Sequence, residues 1–452
     1  MTAQPPTGSE PAATGHPPHS GDSPHSGDSP HSGDSPRAVQ DWRLLLAVFF
    51  LTSLVEGIGV SQIFAFVPAY LSGMGVPEAE RLRFVGIFGS LIFIVGAPLV
   101  PLWGVWADKY SRKAVIVRSA VVEAIVLAAV SLSREPWQLA GSMLLIGLQL
   151  GNTGVMLAEI RDVTPRRRLG RAIALFGASG PVGFAVGPAL GGVIVDGFGF
   201  GLPAVFAFSG LLSVGTALLV TFGSREVRPE VEPSGSVVAL AFGAIRGVLA
   251  DPAVRRIFAI FGTAFLATQM TRPYIPVLVE RVVGVVSSTA GGGAGAAAVG
   301  GAGTGLATSI AVVTGAAALA GALVSPVGGA IGDRVGFRPV LLVALGAAGG
   351  ALLLMPFVTN LPLLALAALA FAAMYAAVSA MIFGLLATEV PAERRSTTLN
   401  LVYLPLYAAG IVGPAAGAGI VSLAGLPGPF VAGGAVFVAG AIAVALTGRP
   451  SR

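Results

Sequence analysis

From Asp41 to Thr447 the chain alternates apolar runs of about twenty residues with short polar turns. As a helix, a run of that length crosses a ~30 Å hydrocarbon core. Twelve such runs stand out, at 43–71, 83–106, 114–133, 137–158, 172–194, 202–222, 256–280, 307–331, 339–358, 361–386, 397–423 and 430–447. Charge is correspondingly scarce. Only 11% of the 452 residues are charged, against about 25% in soluble domains, and the mean hydropathy is +0.83. The expected fold class is an all-α membrane protein with twelve transmembrane helices.

The first 40 residues are of another kind. They are rich in Pro, Ser, Gly and His, and they repeat His-Ser-Gly-Asp-Ser-Pro from His19, His25 and His31. Such a segment cannot bury a core and is expected to be disordered. It lacks the basic start and apolar run of a signal peptide. All four histidines fall in this tail, and the chain has no cysteine. The folded part therefore offers no His or Cys for catalysis or metal ligation. No enzyme activity, cofactor or metal is expected.

The net charge of +5 does not point to nucleic acid, because the basic residues cluster between apolar runs as at a bilayer surface. If both termini are cytoplasmic, 22 of the 27 Lys and Arg lie in cytoplasmic segments and four outside, Arg81, Arg83, Arg134 and Arg281. Arg272 lies within a run. That asymmetry sets the orientation.

The domain reading is a tail over 1–40, a six-helix bundle over 41–222, a cytoplasmic linker over 223–255, a second bundle over 256–447 and a tail over 448–452. The Gly/Ala-rich stretch 287–305 reads as a loop.

An internal repeat ties the two bundles together. Gly104-Val-Trp-Ala-Asp108-Lys109-Tyr-Ser-Arg112-Lys113 follows the second run, and Gly329-Ala-Ile-Gly-Asp333-Arg334-Val-Gly336-Phe-Arg338 follows the eighth. Their aspartates are 225 residues apart. Pro165 and Pro391, in the loops after runs four and ten, are 226 apart, as are Pro188 and Pro414 in runs five and eleven. Two halves threading the membrane in the same sense are a layout of secondary transporters, with a cavity where they meet.

These motifs, with the twelve runs, resemble the major facilitator superfamily over residues 41–447. Ser111 stands where the family's first motif usually has glycine. The resemblance implies that Asp108, with Arg112 and Lys113 beside it, forms a latch to the opposite half, with Asp333, Arg334 and Arg338 as a degenerate copy. It likens Gly183, Gly187, Pro188, Gly191 and Gly192 to the helix-five motif of drug:proton antiporters. It also implies export by alternating access, a monomer, and a bacterial inner-membrane location.

Ionisable residues inside apolar runs are costly and are functional candidates. Here they are Glu56, Glu123 and Arg272. Glu56 lies ~18 Å along its helix at 1.5 Å per residue, and a carboxyl desolvated at such depth is suited to loading and unloading a proton. It is the first candidate for proton coupling, with Glu123 second. Arg272 is expected to pair with a carboxylate, or else to attract an anionic substrate. The family's helix-four arginine is absent: Ile146 holds its place, although Gln149 fits the glutamine that follows.

The remaining candidates for the substrate cavity are Gln62, Phe64, Gln149, Asn152, Gln269, Tyr274, Tyr375, Asn400, Tyr403 and Tyr407. Aromatic faces with a few hydrogen-bonding groups suit an amphipathic, drug-like solute. The expected partners are a small-molecule substrate, protons and the lipid bilayer. A sugar or metabolite carrier without proton coupling is the alternative, and a non-transporting membrane sensor or scaffold is the alternative from another class.

Overall fold

The computed structural model describes residues 41–226, 236, 238, 252–289, 305–389 and 404–447. The described residues contain no strand. They form fourteen α-helices. The first seven are α1 (Trp42–Gly73), α2 (Glu78–Lys109), α3 (Arg112–Leu132), α4 (Pro136–Ile146), α5 (Asn152–Val163), α6 (Arg166–Gly192) and α7 (Leu202–Gly223). The others are α8 (Pro252–Thr271), α9 (Ile275–Thr289), α10 (Leu306–Val335), α11 (Phe337–Leu354), α12 (Leu361–Glu389), α13 (Leu404–Ala424) and α14 (Pro427–Thr447). The described residues pack as one unit.

Local chemistry sets the helix ends. The Asp41 carboxylate accepts from Arg43 N at 2.9 Å and opens α1. Ser111 Oγ accepts from Ala114 N at 3.0 Å and opens α3, and a Glu135–Gln138 capping box opens α4. Gly336, at φ +100°, turns the chain between α10 and α11 where a side chain would be strained.

Eleven of the expected spans are long and apolar enough to cross a bilayer. In the place of the seventh run, α8 and α9 join through a 3-10 turn at Arg272–Tyr274. The fourth run corrects the expectation of one unbroken helix. It stops at Ile146, passes through a 3-10 turn at Gly147–Gln149, and resumes at Asn152 after Gly151 at φ +102°. Residues 397–403 of the eleventh run lie outside the described residues, as do the tail over 1–40, most of the linker and most of 287–305.

Glycine governs how the spans pack. Along α6, a Cβ on Gly183 would strike Leu54 O, one on Gly187 would strike Ser61 Oγ, and one on Gly191 would strike the Phe66 ring. All three targets lie on α1. On α13, a Cβ on Gly413 would come within 2.8 Å of Leu266 O, and one on Gly417 within 2.7 Å of Met270 O, both on α8. The Gly-Pro motif repeated at a 226-residue offset thus does the same work twice. It lets one helix backbone lie directly on another.

The end of the bundle opposite Asp108 is tightly closed. There Arg81 of α2 donates to Glu280 of α9 at 2.5 Å, with both side chains buried. Arg281 approaches Glu78 at 3.4 Å, and Arg83 donates to Ser422 Oγ at 3.1 Å. A π-helical turn at Val193–Gly197 carries Asp196, which accepts from Thr308 N and Oγ1 at 2.7 and 2.8 Å and so caps α10. Burial along α2 is dense from Arg81 to Ile92 and thins toward Trp106, while α10 is dense only from Leu306 to Gly315. Both helices thus lose burial toward the Asp108 end, although α10 stays packed on α12 at Gly321, Gly328 and Gly332.

Gly187→Val is expected to overpack the α1–α6 seam, at a cost of ~1–3 kcal/mol. Fluorescence-detected size exclusion after heating should show a Tm several degrees lower. Gly177→Ala, where a Cβ meets nothing within 4 Å, should leave Tm unchanged.

Candidate functional site

The break in the fourth span builds the deepest polar site. Where the helix opens, the carbonyls of Gln149 and Leu150 lose their helical partners. Both are taken up from α3. Arg118 Nη2 donates to Leu150 O at 3.0 Å and Gln149 O at 3.3 Å, and Ser119 Oγ donates to Gln149 O at 2.8 Å. The Arg118 guanidinium also lies 3.8 Å over the Trp103 ring, a favourable placement for a cation.

Beyond the break, Asn152 Nδ2 donates to Glu56 Oε2 at 3.0 Å. Arg118 attracts Glu56 through space, and Glu56 and Glu123 act on each other. Gln149 lies beside both carboxyls, and Ser213 of α7 lies beside Glu123. Glu123 is 2% exposed, and its Oε1 has no partner among the described residues. That oxygen occupies space opened by Gly59 of α1, where a Cβ would lie 2.5 Å from it. Sequence reasoning named both carboxyls but placed them on separate helices; the fold brings them together around Gln149 and Asn152.

Arg118 was missed. Near the start of its run it reads as one more loop charge, yet the fold turns it inward to the carboxyls. No cation stands at the usual fourth-helix position, since Ile146 is buried there. Arg118 instead reaches the site from α3.

Arg272 does not pair with a carboxylate among the described residues, and this corrects the first expectation for it. Its guanidinium carbon lies 4.2 Å from the Phe64 ring and 4.9 Å from the Phe184 ring, within electrostatic reach of Tyr375. Phe64 and Tyr375 therefore sit with Arg272.

Other candidates have structural work. Gln62 is fully buried, donating to Gly187 O at 3.0 Å and accepting from Ser209 Oγ at 2.5 Å; it bolts α1 to α6 and α7. Tyr274 is buried with its hydroxyl against Gly86, and Gln269 is buried with its Cβ facing Gly413. Tyr407 lies 6.4 Å from Phe93, ring to ring. Asn400 and Tyr403 lie outside the described residues.

The motif after the second span is held within α1–α7. Arg112 pairs with Asp108 at 2.8 Å and Asp162 at 2.7 Å. Lys113 Nζ donates to Thr221 O and Ser224 O at 2.6 and 2.7 Å, capping α7. The Glu226 carboxylate accepts from Arg112 N at 2.9 Å and from Ser111 Oγ, so it covers the start of α3. An anion at a helix N-terminus and a cation at a C-terminus both favour the helix dipole. Ser111, the departure from the family pattern, is what makes the first cap. Glu159, just past the expected fourth run, is 1% exposed with both carboxyl oxygens unpartnered among the described residues. It lies beside Arg112 and Asp162. Gly104 faces open space, and Asp333, Arg334 and Arg338 are exposed around the α10–α11 turn.

Residues 46–311 and 304–452 match the Major Facilitator Superfamily model. The chain belongs to that superfamily. It is a transporter and not an enzyme. Among curated relatives, the multidrug resistance protein MdtG of Citrobacter koseri is 29% identical over 309 residues, 68% of this chain and 70% of the relative. MdtG of Proteus mirabilis is 26% identical over 323 residues, 71% and 74% of the two chains.

Two solved superfamily folds align over most of the chain. A variant of the nucleoside transporter NupG gives a TM-score of 0.72 at 13% identity, covering 90% of this chain and all of that one. A bacterial homologue of the human lysosomal transporter Spinster, inward-facing and unoccupied, gives 0.66 at 16% identity, covering 92% and 96%.

Arg112→Met is expected to destabilise the protein by ~1.5–3 kcal/mol, the scale of charged hydrogen bonds. The loss should appear as a lower melting temperature in detergent. Arg161→Ala, at an exposed pair 3.4 Å apart, should change it little.

Proposed function

We propose that this superfamily member exports a small amphipathic solute across the bacterial inner membrane in exchange for protons. The Asp108 end faces the cytoplasm, where the positive-inside asymmetry puts it. In that orientation the Arg81–Glu280 and Asp196–Thr308 contacts join the two halves on the outer side, and burial along α2 and α10 thins toward the cytoplasm. It is poised to take up a solute from inside the cell.

The observation that carries the proton reading is the Glu56–Glu123 pair beside one guanidinium, Arg118. One guanidinium offsets one carboxylate. The second carboxyl leaves no net charge in the bundle only with a proton on it, and an uncompensated buried charge is costly. Glu56, half-buried, is the member that exchanges its proton; Glu123, fully enclosed, sets the balance. The relatives' name, multidrug resistance protein, agrees with a solute that is amphipathic rather than a sugar. In the alternating cycle, the Arg112 cluster holds the cytoplasmic ends of spans two, three, four and six together, and Asp108 exchanges Arg112 for the opposite half when that side closes.

The test uses inverted membrane vesicles acidified inside, with a pH-sensitive dye and a panel of amphipathic cations, neutral drugs, anions and sugars. Wild type should show solute-evoked proton release, which Glu56→Gln abolishes. Glu56→Gln should still equilibrate labelled solute downhill. Solute flux in wild type with no proton movement would replace antiport with facilitated diffusion.

A further inference from the structure

Arg272 is the strongest unexplained group in the bundle. It occupies the 3-10 turn between α8 and α9. Its guanidinium stands between the Phe64 ring of α1 and the Phe184 ring of α6. The phenol of Tyr375 on α12 is within electrostatic reach. Yet none of its nitrogens has a hydrogen-bond or ion-pair partner among the described residues, and the side chain is only half-buried. Neither Glu56 nor Glu123 acts on it: the charged neighbour of Glu56 is Arg118, and that of Arg272 is Tyr375. A guanidinium within a membrane span and without an anion is expensive.

We propose that Arg272 is the docking point for the anionic group of an amphipathic substrate, a carboxylate or sulfonate on an apolar body. This rests on the reading of the chain as a small-solute carrier and names the substrate class it takes. The two rings hold the cation by cation–π attraction without occupying its hydrogen bonds. Its planar fork remains available to grip an oxyanion bidentately.

The surface beside it is apolar. Phe64 and Pro273, the residue next to Arg272, also line an apolar cleft with Val67, Phe88, Ile92 and Met143. A cationic solute in the same position would meet a like charge with nothing to offset it. The site thus selects by sign as well as by shape.

The experiment measures binding to the full-length protein in detergent micelles by calorimetry, so it does not depend on transport. The probes are 2-naphthoate, 2-naphthamide and 2-naphthylmethylammonium, which share a body and differ in charge. Wild type should bind the naphthoate at least tenfold more tightly than the amide and the ammonium least. Arg272→Gln should erase the preference while leaving amide binding in place, and Arg272→Lys should restore part of it.

Labelling of wild type with phenylglyoxal, read by mass spectrometry, removes dependence on the variant's folding: naphthoate should protect Arg272 and the amide should not. No preference in wild type, a preference that survives Arg272→Gln, or no protection would overturn the proposal. Solute-evoked proton release without naphthoate binding would sink the anion site and leave the exporter. Arg272-dependent binding with no flux would do the reverse.

Discussion

Backbone resting on backbone is what positions everything else in this bundle. Lipid tails are as apolar as leucine, so helices gain little by hiding apolar side chains from them; association comes from close packing and interhelical hydrogen bonds. Here α6 lies against α1 at Gly183, Gly187 and Gly191, where no Cβ fits. Gln62 locks the register by reaching Gly187 O. With α1 fixed along that line, Glu56 and Gly59 meet α3 and Phe64 meets Arg272. The α8–α13 seam at Gly413 and Gly417 fixes the helix that ends at Arg272 in the same way. The helix-five glycines contact α1, the helix that carries Glu56.

A second constraint explains the polar interior. Backbone carbonyls freed inside hydrocarbon must find donors. The fourth span breaks at Gly147–Gly151, and Arg118 and Ser119 supply those donors. The break is thus more than a local irregularity. It swings Gln149 and Asn152 toward the carboxyls and fixes a cation next to Glu56. One interruption makes the site, and one arginine stabilises it.

Much of this was legible in the sequence. Apolar run length gave the spans, because the bilayer imposes a length that soluble folds do not. The near-equal offsets of Asp108/Asp333 and Pro188/Pro414, 225 and 226 residues, pointed to matching packing seams, and both glycine-proline seams are present. Charge inside a run flagged Glu56, Glu123 and Arg272. What failed did so where side-chain direction decides the outcome. Arg118 and Glu159 sit near run ends, where an inward and an outward charge read alike. Gln62 carries the same polar amide as a cavity residue, but its neighbours Gly187 and Ser209 are over a hundred positions away in sequence. The break in the fourth span depends on Gly151 adopting φ +102°, and membrane helices tolerate many glycines without breaking.

The cation at Arg272, unpaired among the described residues, also has an electrical meaning. A carrier that reorients while holding an uncompensated charge does work against the membrane potential, about 2.3 kcal/mol for a full charge across 100 mV. Arg272 traverses only the part of the field through which its cavity swings. An empty carrier would move that fraction of a positive charge on every turn, whereas one carrying a monovalent anion would move none. In a cell negative inside, voltage would then oppose the outward swing of the empty form and leave the loaded form untouched. The asymmetry would suppress idle cycling without any dedicated gate. Two phenylalanines, with no carboxylate paired to the cation among the described residues, suffice to set it.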